Sequence, residues 1–418
     1  MMLVVIRIGS LLPIPGVDTE YFSTLLSGFN SGDLSYLSAF TGGSFEKMSL
    51  FALSITPYIT SSIIMQLLTI AIPKLEEMQK EGEDGRKKIA SITRYVTIAL
   101  ALIESIAMAV GFGRQGLIKD YKDMSTIHYV TCIIVVVAAL TAGSAVLMWI
   151  GERITEKGVG NGISIVLLIN IISGMPSDFV TLYSTFVANK SIARGVTVAV
   201  IIAAIVIAVV VLVVILQDGE RRIPVQYSQK VAGRKTIGGQ ATNIPLKVNT
   251  AGVMPIIFAS SIMQFPVIIV QLFTSNSYEW TKYLSQSYWC RVQMPKYSIG
   301  LLLYIILVVV FAYFYTSITF NPVQIADNLK KAGGVVPGIT PGRSTSEYLN
   351  KILNYIVFIG AVGLMIVALI PIMCTGFFNA SVSFGGTSII IIVGVVLETM
   401  KQIESMMVNR NYRGFLSE

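Results

Sequence analysis

The sequence predicts an all-α polytopic membrane protein of ten membrane-spanning helices. Three observations carry that prediction. Of 418 residues, 54% are hydrophobic and 13% charged, with a mean hydropathy of +0.72, which excludes a soluble globular class. Apolar runs recur at the length of about 20 residues that a helix needs to cross the hydrocarbon core. Their centres hold almost no ionisable side chains, while two of the polar loops between them are long and basic. A pump or ion-coupled carrier keeps carboxylates, histidines or lysines at membrane depth. A chain whose charge collects at one surface reads instead as a gated passage served by a partner there.

The opening run MMLVVIRIGSLL (1–12) is too short to cross. No basic start precedes it and no convincing cleavage site follows, so it reads as a first span whose beginning lies outside this sequence rather than as a signal-peptide core. After the turn at Pro13 to Gly16, the stretch LSYLSAFTGGSFEKMS is broken at Gly42 and Gly43 and leads into FALSITPYITSSIIMQLL. This predicts a short re-entrant helix on the outer side, then a span at 50–72. Non-helical backbone at depth is tolerated only where protein buries it or it lines a cavity, so a cavity is expected beneath it. An amphipathic surface helix is the alternative that periodicity leaves open. Within 50–72, Ile55, Ile59 and Ile63 share one face. Ser54, Tyr58, Ser61 and Ser62 occupy a neighbouring face, and Pro57 is expected to loosen the backbone between them.

Further spans are expected at 91–112, 127–151 and 163–175 with its extension. The run at 196–216, VTVAVIIAAIVIAVVVLVVIL, has Thr197 as its only polar residue. Its valines and isoleucines would favour a strand in water. In lipid only a helix or a closed barrel satisfies the backbone, and the run is too long and too uniformly apolar for a barrel strand. The span at 250–273 repeats the style of 50–72, with Asn249, Thr250, Ser260, Ser261 and Gln264 among apolar residues and prolines at 255 and 266. Two kinked, hydroxyl-bearing spans form either ordinary helix–helix contacts or a weak seam that opens. The pattern alone does not choose. The remaining spans are expected at 299–320, 352–371 and 386–408.

Alternate loops hold nineteen and nine lysines and arginines, which puts the richer set and both chain ends in the cytoplasm. The formal net charge of +8 follows from that bias, with anionic lipid or partner contacts, better than from nucleic acid alone. Three scattered cysteines, Cys132, Cys290 and Cys374, and the single His128 assemble no metal site and no nucleophilic triad. Cys290 and Cys374 both fall on the outer side, where free thiols and a disulfide are both conceivable. The glycines from 111 to 116 spell a dinucleotide-binding pattern but open no βαβ unit. Asn189 and Asn379 begin glycosylation sequons that matter only in a secretory compartment. In the glycine-rich turn at 158–162, Asn161 is expected to cap the next helix. Glu104 is the clearest ionisable residue at depth; one carboxylate makes no relay, so it reads as an acid facing a wet interior or a polar neighbour. Glu398 is expected to pair with Lys401 three residues on.

The two long inner loops, QDGERRIPVQYSQKVAGRKTIGGQATNIPLKVN and NPVQIADNLKKAGGVVPGITPGRST, carry turn-forming glycines and prolines and β-branched pairs, which predicts projecting hairpins. The first is longer than topology requires, which favours docking of a macromolecule.

These segments, with RIGSLLPIPG, KEGEDGRKKIA, GERITEKGVGNGISI and FGGTSIIIIVGVV, resemble the SecY family, the channel subunits of the bacterial protein-conducting translocon. The resemblance runs through essentially the whole chain in order. It implies two inverted halves, 1–193 and 194–418, related by a pseudo-twofold axis in the membrane plane. It also implies an apolar pore ring at Ile55, Ile59, Leu167, Ile257 and Ile391, where Leu167 replaces the family's usual isoleucine. A plug falls on Ser38, Ala39, Phe40, Thr41, Gly42, Gly43, Ser44 and Phe45. A lateral gate falls between spans 50–72 and 250–273, with Thr60, Ile63, Asn249, Ser261 and Phe265. Docking of SecA and the ribosome is implied at Arg221, Arg222, Arg234, Lys235, Lys330, Lys331 and Arg343, although Thr340 stands where the family has an arginine. The implied partners are SecE and SecG in a heterotrimer, the SecA ATPase, the ribosome, signal sequences with their polypeptides, and membrane lipid. No cofactor, metal or small-molecule substrate is implied, and the location is the bacterial cytoplasmic membrane. The alternative from another class is a secondary transporter of a small solute, which would need a charged midplane site.

Overall fold

The computed structural model describes all residues except 29–40, 114–116, 119–124, 187–191, 228–229, 233–234, 238–240, 274–277, 292–293, 379–385 and 416–418. Helices dominate: α1 (Met2–Leu11), α2 (Thr19–Gly28), α3 (Thr56–Ala71), α4 (Pro73–Lys80), α5 (Glu83–Phe112), α6 (Thr126–Lys157), α7 (Gly162–Phe186) and α8 (Ile192–Asp218) come first. After a β-region follow α9 (Met254–Phe273), α10 (Thr281–Leu284), α11 (Ile299–Thr319), α12 (Pro322–Lys331), α13 (Arg343–Phe378) and α14 (Gly386–Phe415). Among the described residues five helices are long and apolar enough to cross a membrane, or six if the bent pair α3 and α4 counts as one.

The sharpest departure from expectation lies at residues 50–72. The chain runs in turns from Gly42 to Ile55, with Met48 (φ 41°) and Ser54 (φ 53°) in the left-handed region, and helix begins only at Thr56. Pro57 therefore stands in the first turn, where its missing N–H costs nothing, and does not loosen a helix interior. At the other end Pro73 opens α4, and the two helix axes differ by 105°. Other helices outrun the expected spans at their N-terminal ends. α5 starts at Glu83 and α13 at Arg343, because charged residues continue a helix once it leaves the lipid.

Three apolar clusters organise the interior. One draws on residues from Ile14 to Leu140 and another on residues from Ile205 to Leu397; the third joins side chains between Met2 and Ile171 to others between Val253 and Val395. Arg94 Nε donates to Glu152 Oε1 at 2.7 Å, and the hydroxyls of Ser105 and Thr141 lie 3.0 Å apart, so α5 and α6 are tied at two levels. Lys401 reaches Asp218 Oδ1 at 2.6 Å, not Glu398. The end of α8 delivers a carboxylate to Lys401 that spacing within one helix cannot reveal.

The first inner loop forms β1 (Glu220–Tyr227), β2 (Lys230–Ala232), β3 (Lys235–Ile237) and β4 (Ala241–Lys247). β1 pairs antiparallel with β4, placing Ile223 opposite Ile244 and Arg221 opposite Leu246. Strand alternation turns Ile223 and Val225 inward and Arg222 outward, and Arg221, near the start of the strand, is exposed as well. β2 and β3 form a second antiparallel pair. The second inner loop is not a hairpin. It folds as α12, whose first turn is capped by Asn321 Oδ1, followed by β5 (Gly334–Val335), which joins the free edge of β1. Ile223, Val225 and Leu246 then pack on Leu329, Leu349 and Ile352, so both loops and the foot of α13 share one small core.

Candidate functional site: a cavity over an apolar constriction

A cavity of about 480 Å³ opens between α3, α7, α9 and α14. Its walls carry amides and hydroxyls, among them Gln66, Asn161, Ser164, Gln217 and Asn249, with Lys247, Glu398 and Lys401 also lining it. Gln66 Oε1 and Gln217 Nε2 are buried there without a hydrogen-bond partner among the described residues.

Four of the five residues expected in the ring, Ile59, Leu167, Ile257 and Ile391, line this cavity. Ile55, Leu167, Ile257 and Ile391 are buried in one cluster, and Ile59 packs against it half-buried. They approach from four helices: Ile55 caps α3 and Ile59 sits one turn on, while Leu167, Ile257 and Ile391 come from α7, α9 and α14. Phe51, Ile6 and Ile171 extend the same apolar cluster. Branched aliphatic side chains offer an ion neither donor nor acceptor, so such a constriction dewets.

Of the residues expected in the plug, Ser38, Ala39 and Phe40 lie outside the described residues. Thr41, Ser44 and Phe45 are buried. The Phe45 ring stands edge-on to Phe22 at 5.9 Å between centroids, within the cluster formed by α2, α5 and α6. Gly42 has φ +63° and rests on α7, where an added Cβ would stand 2.6 Å from Ser173 Oγ and 2.7 Å from the Asn170 carbonyl oxygen. Only glycine fits there.

Sequence reasoning missed what surrounds Gly42. Arg7, on α1 and half-buried, donates from Nη1 to Ser173 Oγ at 3.0 Å, Ser10 Oγ at 3.3 Å and the Gly42 carbonyl at 3.4 Å. Ser173 Oγ in turn donates to the Asn170 carbonyl at 2.9 Å. The available signal was a lone arginine inside an apolar run.

Among the residues expected in the gate, Thr60 Oγ1 donates back to the Thr56 carbonyl, Ile63 lines the cavity, and buried Asn249 donates to the Gly252 carbonyl. Ser261 is exposed, and the Phe265 side chain is not described. α9 packs chiefly on α11 and α3 chiefly on α5, while α3 and α9 touch each other only sparsely.

Among the residues expected to dock a partner, Arg221, Arg222, Lys330, Lys331 and Arg343 are exposed. Arg222 pairs with Glu220 and Arg343 with Glu347, so part of that charge is already answered within the chain. Lys235 lies in β3 with its side chain undescribed, and Arg234 is outside the described residues. Asn161 Oδ1 accepts from the Ile163 amide, as expected of a cap.

The SecY family model matches residues 49–400. The protein translocase subunit SecY of Streptomyces galbus is 42% identical, the match covering 99% of this chain and 94% of that protein. Its counterpart in Halalkalibacterium halodurans is 41% identical, with 100% and 95% covered. A solved protein-conducting channel superimposes with a TM-score of 0.60 at 18% identity, covering 97% of this chain and 90% of that one. A SecY structure whose plug domain stabilises the closed state and maintains a membrane seal gives a TM-score of 0.62 at 17% identity, with the same coverage. The channel of a canine ribosome–channel complex from the endoplasmic reticulum gives 0.59, also at 17% identity and the same coverage. These structural likenesses bear out the expected all-α polytopic fold, and the sequence matches span nearly the whole chain. The chain belongs to the SecY family.

Proposed function

We propose that the chain is the pore-forming subunit of a protein-conducting channel, passing unfolded polypeptides across a membrane and releasing apolar segments sideways into it. The observation that carries this reading is the convergence of Ile55, Ile59, Leu167, Ile257 and Ile391, from four helices, beside a cavity lined by amides and hydroxyls. A polar vestibule hydrates an entering chain, and Gln66 and Gln217 suit brief hydrogen bonds to a moving backbone. An apolar ring blocks ions at rest yet binds no particular side chain strongly enough to stall it. Thr41 to Phe45 belong to the plug, and α3 and α9 form the walls of a lateral gate, a role that their sparse mutual packing suits. A signal segment entering that seam exchanges water for lipid contact and gains transfer free energy.

Residues 1–193 and 194–418 act as two halves that part along this seam. The basic β-region and α12 face the cytoplasm, together with both chain ends, in a bacterial cytoplasmic membrane. Arg221, Arg222, Arg234, Lys235, Lys330, Lys331 and Arg343 dock SecA or the ribosome, while SecE and SecG complete the complex. The chain is not itself an enzyme, so the energy for transport comes from SecA or from elongation on the ribosome. Vesicles containing this chain, SecE and SecA test the reading. ATP-dependent protection of a precursor from added protease is expected. Saturable uptake of a small solute with no precursor protection would overturn it.

A further inference from the structure

The geometry points to Arg7 as the residue that holds the plug at rest and thereby sets how strong a signal segment must be to open the channel. This rests on the plug assignment made above. Arg7 Nη1 lies between two hydroxyls and the Gly42 carbonyl, joining α1, α7 and the plug at one spot. Its nearest partner, Ser173, is the same side chain on which Gly42 rests. Ser10 Oγ donates back to the Arg7 carbonyl at 2.8 Å, which fixes the acceptor beside the guanidinium. Among the described residues no carboxylate lies within ion-pair distance of Arg7, and the partners they offer its guanidinium are dipoles.

That arrangement makes a reversible latch. In a dry, closed channel the guanidinium depends on these acceptors, because an unsolvated cation at membrane depth is costly. Low local dielectric strengthens each bond while the site stays dry. Once a polypeptide wets the passage, water can take the place of the Gly42 carbonyl and holding the plug brings no further gain. The latch is therefore strong when closed and weak when open. An ion pair with a buried carboxylate would resist release in both states. Gly42 is the plug residue able to approach this closely, since any side chain there meets Ser173 and Asn170.

The test uses vesicles and planar bilayers containing the chain with SecE and SecG. Two quantities are read: resting conductance, and the translocation of a precursor with a shortened signal core relative to the intact precursor. Arg7→Met should raise both, the ratio by about tenfold if one charge-assisted bond is lost. Arg7→Lys, which keeps a charged donor, should fall between Arg7→Met and the parent. The same measurements are made after removing residues 41–45, alone and combined with Arg7→Met. If Arg7 acts through the plug, the combined protein leaks no more than the deletion alone.

Arg7→Met at parental values of both quantities would overturn the proposal. So would additivity with the deletion, which would make Arg7 a tie between α1 and α7 and nothing more. A deletion that leaves resting conductance unchanged would overturn the plug assignment and the latch with it, an outcome distinct from failure of Arg7→Met alone. If Arg7→Met does not insert, Ser173→Ala decides by the same readings, because it removes the nearest partner and leaves the arginine in place.

Discussion

Asn170 Nδ2 donates to Ser54 Oγ at 3.0 Å, joining α7 to the turn from which α3 begins. Ser54 has φ 53°, a conformation that L side chains adopt at a cost, so the bond spans two helices at a strained point. Asn170→Leu is expected to destabilise the protein by roughly 1–3 kcal/mol. The exposed pair between Lys401 and Asp218 should matter far less, with Lys401→Ala costing under about 1 kcal/mol. Melting temperatures of the two variants in detergent check the order; equal losses would contradict it.

Replacing Ile59 and Ile257 together with Asn should wet the constriction, since polar groups remove the penalty that keeps it dry. Single-channel current across a planar bilayer without precursor is the measurement. Conductance above the parental resting level is expected. A parental level would mean that the plug alone seals the passage.

Reversing charge at Arg234 and Lys235 with Glu should weaken SecA binding by roughly tenfold at moderate salt while leaving membrane insertion normal. Reversal of Arg222 should do less, because Glu220 already neutralises it. Binding to vesicles over a salt series checks both, and an unchanged affinity for the Arg234 and Lys235 variant would remove these residues from the docking surface.

With Cys132, Cys290 and Cys374 first replaced, Thr60→Cys combined with Phe265→Cys should crosslink on oxidation, a reaction that requires Cα atoms within about 7 Å. Translocation should stop and return on reduction. A complete crosslink that leaves translocation at its reduced-state rate would show that the seam between α3 and α9 need not part.

The spans were legible because length and apolarity leave lipid-embedded backbone few options, and the run at 196–216 became α8 despite its β-branched residues. Helix ends were less legible. Charged residues hid the first turns of α5 and α13, and the positive φ angles of Met48 and Ser54 left no trace in hydropathy. Periodicity placed Ile55, Ile59 and Ile63 on one face, but only family likeness distinguished Leu167 and Ile391 from other buried aliphatics. Arg7, a charge in an apolar run that sequence reasoning passed over, has its partners Gly42 and Ser173 35 and 166 residues away. Lys401 likewise passed over a neighbour on its own helix for Asp218, 183 residues distant.

The pairing of β5 with β1 gives the basic β-region a mechanical property. Two loops that leave the membrane from different helices move as one stiff plate, because the strand pairing and the shared apolar core resist shear between them. The plate is hinged closely to the helices it serves. Glu220 begins β1 two residues after α8 ends, and only the turn from Val248 to Val253 separates β4 from α9. Under the docking proposed above, a partner that tilted the plate would exert torque on the near end of α9, with the sheet as its lever arm. The work of opening would then be applied where α9 starts, several turns from Phe265, without the partner touching the proposed seam.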